Sequence, residues 1–114
     1  MPITGVHALL YSSEADALRA VLRDVFGWPS LDAGDGWLIF ALPPAELGVH
    51  PAVRPAHELS LTCDRLDETI AELRAKGIDV RGEPREETWG VAVTLVLPGD
   101  VEVLLYEPRH PTAF

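Results

Sequence analysis

The sequence predicts an α+β fold made of two copies of a βαβββ unit in one domain. Three observations carry this reading. An apolar pattern with helical spacing occurs twice, each time closed by a glycine. A short apolar run that opens at a histidine precedes each helix. The landmarks also recur at a fixed interval: His7 and His57 stand 50 positions apart, Gly27 and Gly77 stand 50 apart, and Ser13 and Asp64 stand 51 apart. A solenoid needs at least three repeats, so two copies point to a pseudo-twofold domain, with modules of about 1–53 and 54–114. The 114 residues match one domain. A chain of this size buries roughly two thirds of its unfolded surface without a disulfide or metal staple.

The elements follow in order. Val6 to Tyr11 is apolar and short, a predicted strand. Ser13 is placed to cap a helix, with Asp16 three residues on. Leu18, Val21, Leu22 and Val25 fall at i, i+3, i+4 and i+7, one helical face. Gly27 ends the helix as a left-handed residue does. Asp32-Ala33-Gly34-Asp35-Gly36 is a turn cluster. Trp37 to Leu42 reads as a buried strand, and Pro43-Pro44 breaks it. Glu46 to His50, bounded by prolines, is a further strand, and Pro51 to Pro55 is a connector. The pattern then restarts. His57 to Thr62 is a strand and Asp64 a cap. Leu66, Ile70 and Leu73 form the helix face that Gly77 terminates. Ile78 to Arg81 is a short strand, and Gly82 to Thr88 a polar turn region. Val91 to Leu97 and Val101 to Tyr106 are strands joined by a Pro98-Gly99-Asp100 turn. Short turns after each helix imply mostly antiparallel pairing.

Composition narrows the function. Lys+Arg is 9 against Asp+Glu 18, a formal charge of −9. Such a surface repels phosphate backbones and anionic lipid, so neither nucleic acid nor membrane is an expected partner. No apolar run approaches the roughly 18 residues of a membrane span. The first residues lack a signal-peptide pattern. Cys63 is the only cysteine, which fits a reducing compartment; a cytoplasmic location is expected. There is no phosphate loop, nucleophile elbow, H-E-x-x-H or paired-cysteine motif.

Val6-His7-Ala8-Leu9-Leu10-Tyr11, Ala56-His57-Glu58-Leu59-Ser60-Leu61, the helix from Leu66 to Leu73 with Lys76-Gly77, and the run from Leu97 to Pro108 together resemble the vicinal oxygen chelate superfamily. That group contains glyoxalase I, bleomycin-resistance proteins and extradiol dioxygenases. The resemblance covers nearly the whole chain. It implies a curled, cup-shaped mixed sheet with helices outside, a small-molecule ligand and a homodimer. In metal-dependent members each module gives one ligand from its first strand and one from its last. Carried over, these positions are His7, Glu46, His57 and Leu104. The first three can bind a divalent metal such as iron, manganese, zinc or nickel. Leucine stands where the fourth ligand, a carboxylate, is expected.

Strand alternation puts Glu102 on the same face as Leu104 and Tyr106, about 6.6 Å along the strand from Leu104. Glu102 is either a displaced ligand or a polar residue lining the cup; if unbound to metal, it is the candidate catalytic base. Glu46 and His50 face one way but stand about 13 Å apart, too far to share an ion. His50 therefore belongs to the rim of the pocket. Trp89, Tyr106 and Leu104 are further pocket-wall candidates; Trp37 is expected in the core. Glu58 is expected on the opposite strand face from His57, in a surface or interface role. His110 is expected in a solvated tail, and Cys63 buried and inert. Two functions follow from the resemblance. One is a metal-dependent lyase or dioxygenase in which the ion acts as a Lewis acid. The other is a metal-free binding protein that sequesters a small molecule such as an antibiotic.

Overall fold

The structure is a computed structural model and describes residues 3–114. Its elements are α1 (Ala15–Asp24), β1 (Ser30–Asp32), β2 (Leu38–Phe40), β3 (Ser60–Thr62), α2 (Leu66–Ala75), β4 (Asp79–Glu87), β5 (Gly90–Leu97) and β6 (Val101–Pro108). The second module supplies a four-stranded sheet in the order β3-β6-β5-β4, and the first supplies only the hairpin β1-β2. The larger sheet is mixed. β3 runs parallel to β6, with Ser60 opposite Leu104, while β4-β5 and β5-β6 are antiparallel.

The core lies between this sheet and the two helices. Alternation along β5 and β6 turns Val93, Leu95, Leu97, Val103 and Leu105 to one face, all of them buried. Leu66, Ile70 and Leu73 of α2 pack there, and Leu18 of α1 joins the same cluster. Each fully buried Val or Leu is worth about 1.5–3 kcal/mol of transfer free energy. The first helix, although part of the first module, is thus held by the sheet of the second. Val21, Leu22 and Val25, the rest of its predicted face, are partly buried against the same cluster.

A polar junction fixes where α1 begins. The Ser12 hydroxyl donates to Pro98 O at 2.7 Å and accepts the Glu14 N–H at 3.0 Å. The Glu14 carboxylate in turn accepts the Gly99 N–H at 2.9 Å. Gly99 has φ +83°, a left-handed conformation, and a Cβ there would overlap the Ser12 hydroxyl. The β5-β6 turn therefore needs glycine for both its backbone angle and its closeness to the start of α1.

The caps differ from the sequence expectation by one position or by their source. Ser12, not Ser13, supplies the hydroxyl at α1, and the N-cap residue Glu14 makes no side-chain cap bond of its own. At α2 the N-cap residue is Arg65, not Asp64, and it makes none either. The Leu66 N–H is met at 3.0 Å by Glu107 of β6, which no local pattern could announce. Both helices end as expected, with Gly27 at φ 71° and Gly77 at φ 84°.

Four strand expectations need correction. Val6 to Tyr11 carries no secondary structure, and residues 3–11 make no backbone–backbone hydrogen bond among the described residues. Glu46 to His50 is likewise outside any ladder; the prolines at 43, 44, 51 and 55 keep it extended and deprive its flanks of donors. Trp37 and Leu42 are exposed, leaving only the half-buried Leu38–Phe40 as strand. The polar stretch after Arg81 continues the strand to Glu87 instead of turning. A register shift between Arg81 and Arg85 accommodates Gly82 and Pro84 at the sheet edge, where a missing donor costs little.

Candidate functional site

A wide groove of about 1400 Å³ runs along the β3 edge of the sheet. The extended chain from Leu42 to Cys63 forms one wall. The flank of α2 and the end of α1 form another, and Tyr106, His110 and Phe114 also line it. Ligand pockets are typically about 300–1,000 Å³, so this space exceeds what one small molecule fills.

A connected set of contacts surrounds Tyr106 in this lining. β6 turns Tyr106 to the face opposite Val103 and Leu105. Trp89 meets the Tyr106 ring edge-on, with ring centroids 5.0 Å apart. The Tyr106 hydroxyl lies 3.0 Å from His110 Nε2, and His110 Nδ1 lies 2.8 Å from Pro111 O. A carbonyl can only accept, so Nδ1 carries the hydrogen. In the neutral ring Nε2 is then the acceptor, and the tyrosine donates. Burial pushes the Tyr106 hydroxyl above its ordinary pKa, and the nearby Glu46 carboxylate adds to that shift. Tyr106 is therefore a protonated donor at neutral pH. Glu46 is held by the Ala113 N–H at 2.7 Å, which ties the extended segment to the tail.

The positions singled out in the sequence fall into two sets. Glu46, His50, His57 and Tyr106 line the groove. His7, Trp89, Glu102 and Leu104 do not. His7 sits in the exposed segment before α1. Trp89 supports Tyr106 from behind. Leu104 is half-buried on β6, opposite Thr94. Glu102 shares the face of Leu104 and Tyr106, but it is exposed and pairs with Arg81 at 3.2 Å. His110 is the member sequence reasoning placed in solvent. Its signal was the bracketing Pro108 and Pro111, which turn the chain back toward Tyr106 four residues earlier.

The superfamily pattern implies a divalent metal, so the donor set was tested for fit. His7, Glu46 and His57 do not gather: among the described residues no three His, Cys, Asp or Glu side chains are placed to hold an ion together. Within one chain the residues do not fit a metal centre. Cys63 is half-buried, with its Sγ 3.7 Å from Tyr106 O. Burial raises its pKa, and the neighbouring Glu107 and Asp64 add to this against a hydrogen bond with Thr69, so it stays a thiol. No helix among the described residues is long and apolar enough to cross a membrane.

No family model and no curated protein match the chain. Solved structures do. The chain is similar to TnmS3, an antibiotic binding protein from a Streptomyces species, with 22% identity over 95% of this chain and 100% of that one, and a TM-score of 0.65. It is similar to a lactoylglutathione lyase from Agrobacterium tumefaciens, with 21% identity over 93% and 95% of the two chains and a TM-score of 0.65. A member of the glyoxalase/bleomycin resistance protein/dioxygenase superfamily from Sphaerobacter thermophilus matches with 21% identity over 92% and 98%, and a TM-score of 0.63. The chain thus has the fold of the vicinal oxygen chelate proteins, as the sequence pattern implied.

Proposed function

We propose that this protein binds a small aromatic molecule in the groove along β3 and holds it without a metal ion. The observation that carries this reading is the cluster around Tyr106 in the lining of the groove. There a tyrosine ring is braced edge-on by Trp89 and oriented by His110, and the Glu46 carboxylate lines the same groove. A braced ring offers a flat ligand a stacking surface at little entropic cost. With its O–H given to His110, the Tyr106 oxygen is an acceptor, and the Glu46 carboxylate supplies a second, to orient it. The antibiotic binding by the similar TnmS3 supports the same reading. Metal-dependent lyase or dioxygenase chemistry needs ligands that converge, and His7, Glu46 and His57 do not. Glu102, already paired with Arg81 outside the groove, has no substrate to serve as base in this reading.

The test is a tryptophan-fluorescence titration with a panel of planar aromatic antibiotics, run with and without a chelator. Saturable binding that ignores the chelator is expected, with Tyr106→Ala weakening it about tenfold or more, the loss of roughly 1.4 kcal/mol. Binding that appears only after a divalent metal is added, or that is indifferent to Tyr106→Ala, overturns the proposal.

A further inference from the structure

The donors around Tyr106 are all given away within the protein. The Tyr106 O–H goes to His110 Nε2 at 3.0 Å, His110 Nδ1–H goes to Pro111 O at 2.8 Å, and the Ala113 N–H goes to the Glu46 carboxylate at 2.7 Å. The acceptors are not used up. A hydroxyl oxygen has two lone pairs, and His110 is the one hydrogen-bond partner of the Tyr106 hydroxyl among the described residues. A carboxylate has about four acceptor sites, and the Ala113 N–H fills one of those on Glu46. What this cluster has left for a ligand is acceptor capacity.

The direction of these bonds is fixed by their surroundings. Moving the ring hydrogen of neutral His110 to Nε2 would set the bare Nδ1 against Pro111 O, two acceptors 2.8 Å apart. Turning the imidazole over would give up both of its bonds. The tyrosine is equally constrained. Trp89 holds its ring edge-on, so the hydroxyl returns to one place, and burial keeps that hydroxyl protonated. The result is a one-way chain from Tyr106 through His110 to Pro111, in which each bond strengthens the next.

From this geometry we infer that His110 is a positioning residue that sets the ligand class of the groove: by taking the Tyr106 hydrogen it turns the tyrosine oxygen into an acceptor, so the site selects planar aromatic molecules bearing a hydroxyl or amine at their edge over those presenting an ether or carbonyl there. This rests on the binding function proposed above and states which aromatic molecules it takes. A hydroxyl or amine extends the chain by one bond in the same direction. An ether or carbonyl meets the tyrosine lone pair on lone pair. The Tyr106 hydrogen could answer it only by leaving His110, whose Nε2 would then lose its partner.

The test has a ligand-free arm and a binding arm, both on the intact protein at about pH 8, where imidazole is ordinarily neutral. Nitrogen NMR of isotope-labelled histidine reports the tautomer, and His110→Phe identifies which of the 4 histidine signals is its own. The Nδ1–H form is expected; the Nε2–H form overturns the inference whatever binds. The binding arm compares β-naphthol with its methyl ether by equilibrium dialysis. The parent should favour β-naphthol by about tenfold or more. In His110→Phe the tyrosine hydrogen is released to the groove, so the ether should bind more tightly than it does to the parent and the preference should fall below about threefold. Tyr106→Phe should level the pair by removing the oxygen. An equal loss of both probes in His110→Phe, or a preference that survives either variant, overturns the inference while leaving the binding function in place. Binding of neither probe to a parent that shows the expected tautomer refutes the binding function, and this inference with it.

Discussion

Gly99→Ala tests how the two modules are joined. The residue sits at φ +83°, and an alanine in that left-handed conformation costs about 1–2 kcal/mol. The new Cβ also displaces the Ser12 hydroxyl. That breaks the bond to Pro98 O and the one accepted from Glu14 N–H, each worth about 0.5–1.5 kcal/mol. The total is about 2–5 kcal/mol, equivalent to roughly 8–21 °C in Tm for a chain of this length. Urea unfolding followed by circular dichroism at fixed protein concentration measures it. The decisive comparison is the same substitution in a Ser12→Ala background, where both bonds are already gone and only the strain and residual crowding remain. There Gly99→Ala should cost at least about 1 kcal/mol less, because contacting residues are not additive. Equal costs in the two backgrounds, or a change below about 0.5 kcal/mol in the parent, refute the junction as described.

Three other outcomes follow from the geometry. Glu107→Ala removes the acceptor for the Leu66 N–H and should lower stability by about 1 kcal/mol in the same urea assay, with β6 otherwise intact. The guanidinium of Arg109 holds the Glu86 carboxyl below its ordinary pKa. The stability this pair contributes is therefore fully present above the ordinary glutamate range, near 4.3, and disappears as pH falls through the lower folded value. A Tm-against-pH comparison with Glu86→Gln should show a gap at pH 7 that closes in acid and narrows in high salt, as expected for exposed charges. Cys63, its pKa raised by burial, should react with Ellman's reagent at neutral pH more slowly than free cysteine.

Much of this architecture was legible in the residues, and the missing parts share a cause. Helix faces are written locally. Leu66, Ile70 and Leu73 announced α2, and Gly27 and Gly77 announced where the chain turns left-handed. The final hairpin was equally clear, since β-branched residues alternate on either side of a Pro-Gly-Asp turn. Strand pairing is not local. Val6 to Tyr11 has the composition of a strand, but composition does not say whether a neighbour lies within reach, and here none does. The extent of β4 was hidden because Gly82 and Pro84 look like a turn yet fit an irregular edge strand. At the site, Glu46 was reached through the family resemblance and Tyr106 through strand alternation and its aromatic ring, while His110 was missed because its contact with Tyr106 depends on how the tail folds.

The capping of α2 by Glu107 bears on the order in which the protein assembles during synthesis. Helix α2 has only 10 residues, shorter than the roughly 12–15 at which an isolated helix becomes marginally stable in water. The acceptor for its first amide lies 41 residues downstream, and β3, the strand before it, pairs only with β6. While the chain is still emerging from the ribosome, neither element has its native partner. The hairpin β4-β5, joined by the two-residue Thr88-Trp89 turn, is able to close first, but β3 and the start of α2 must wait for β6. Assembly of β3 and α2 onto this sheet therefore waits for its last strand in sequence, with Glu107 seating the helix once β6 is in place.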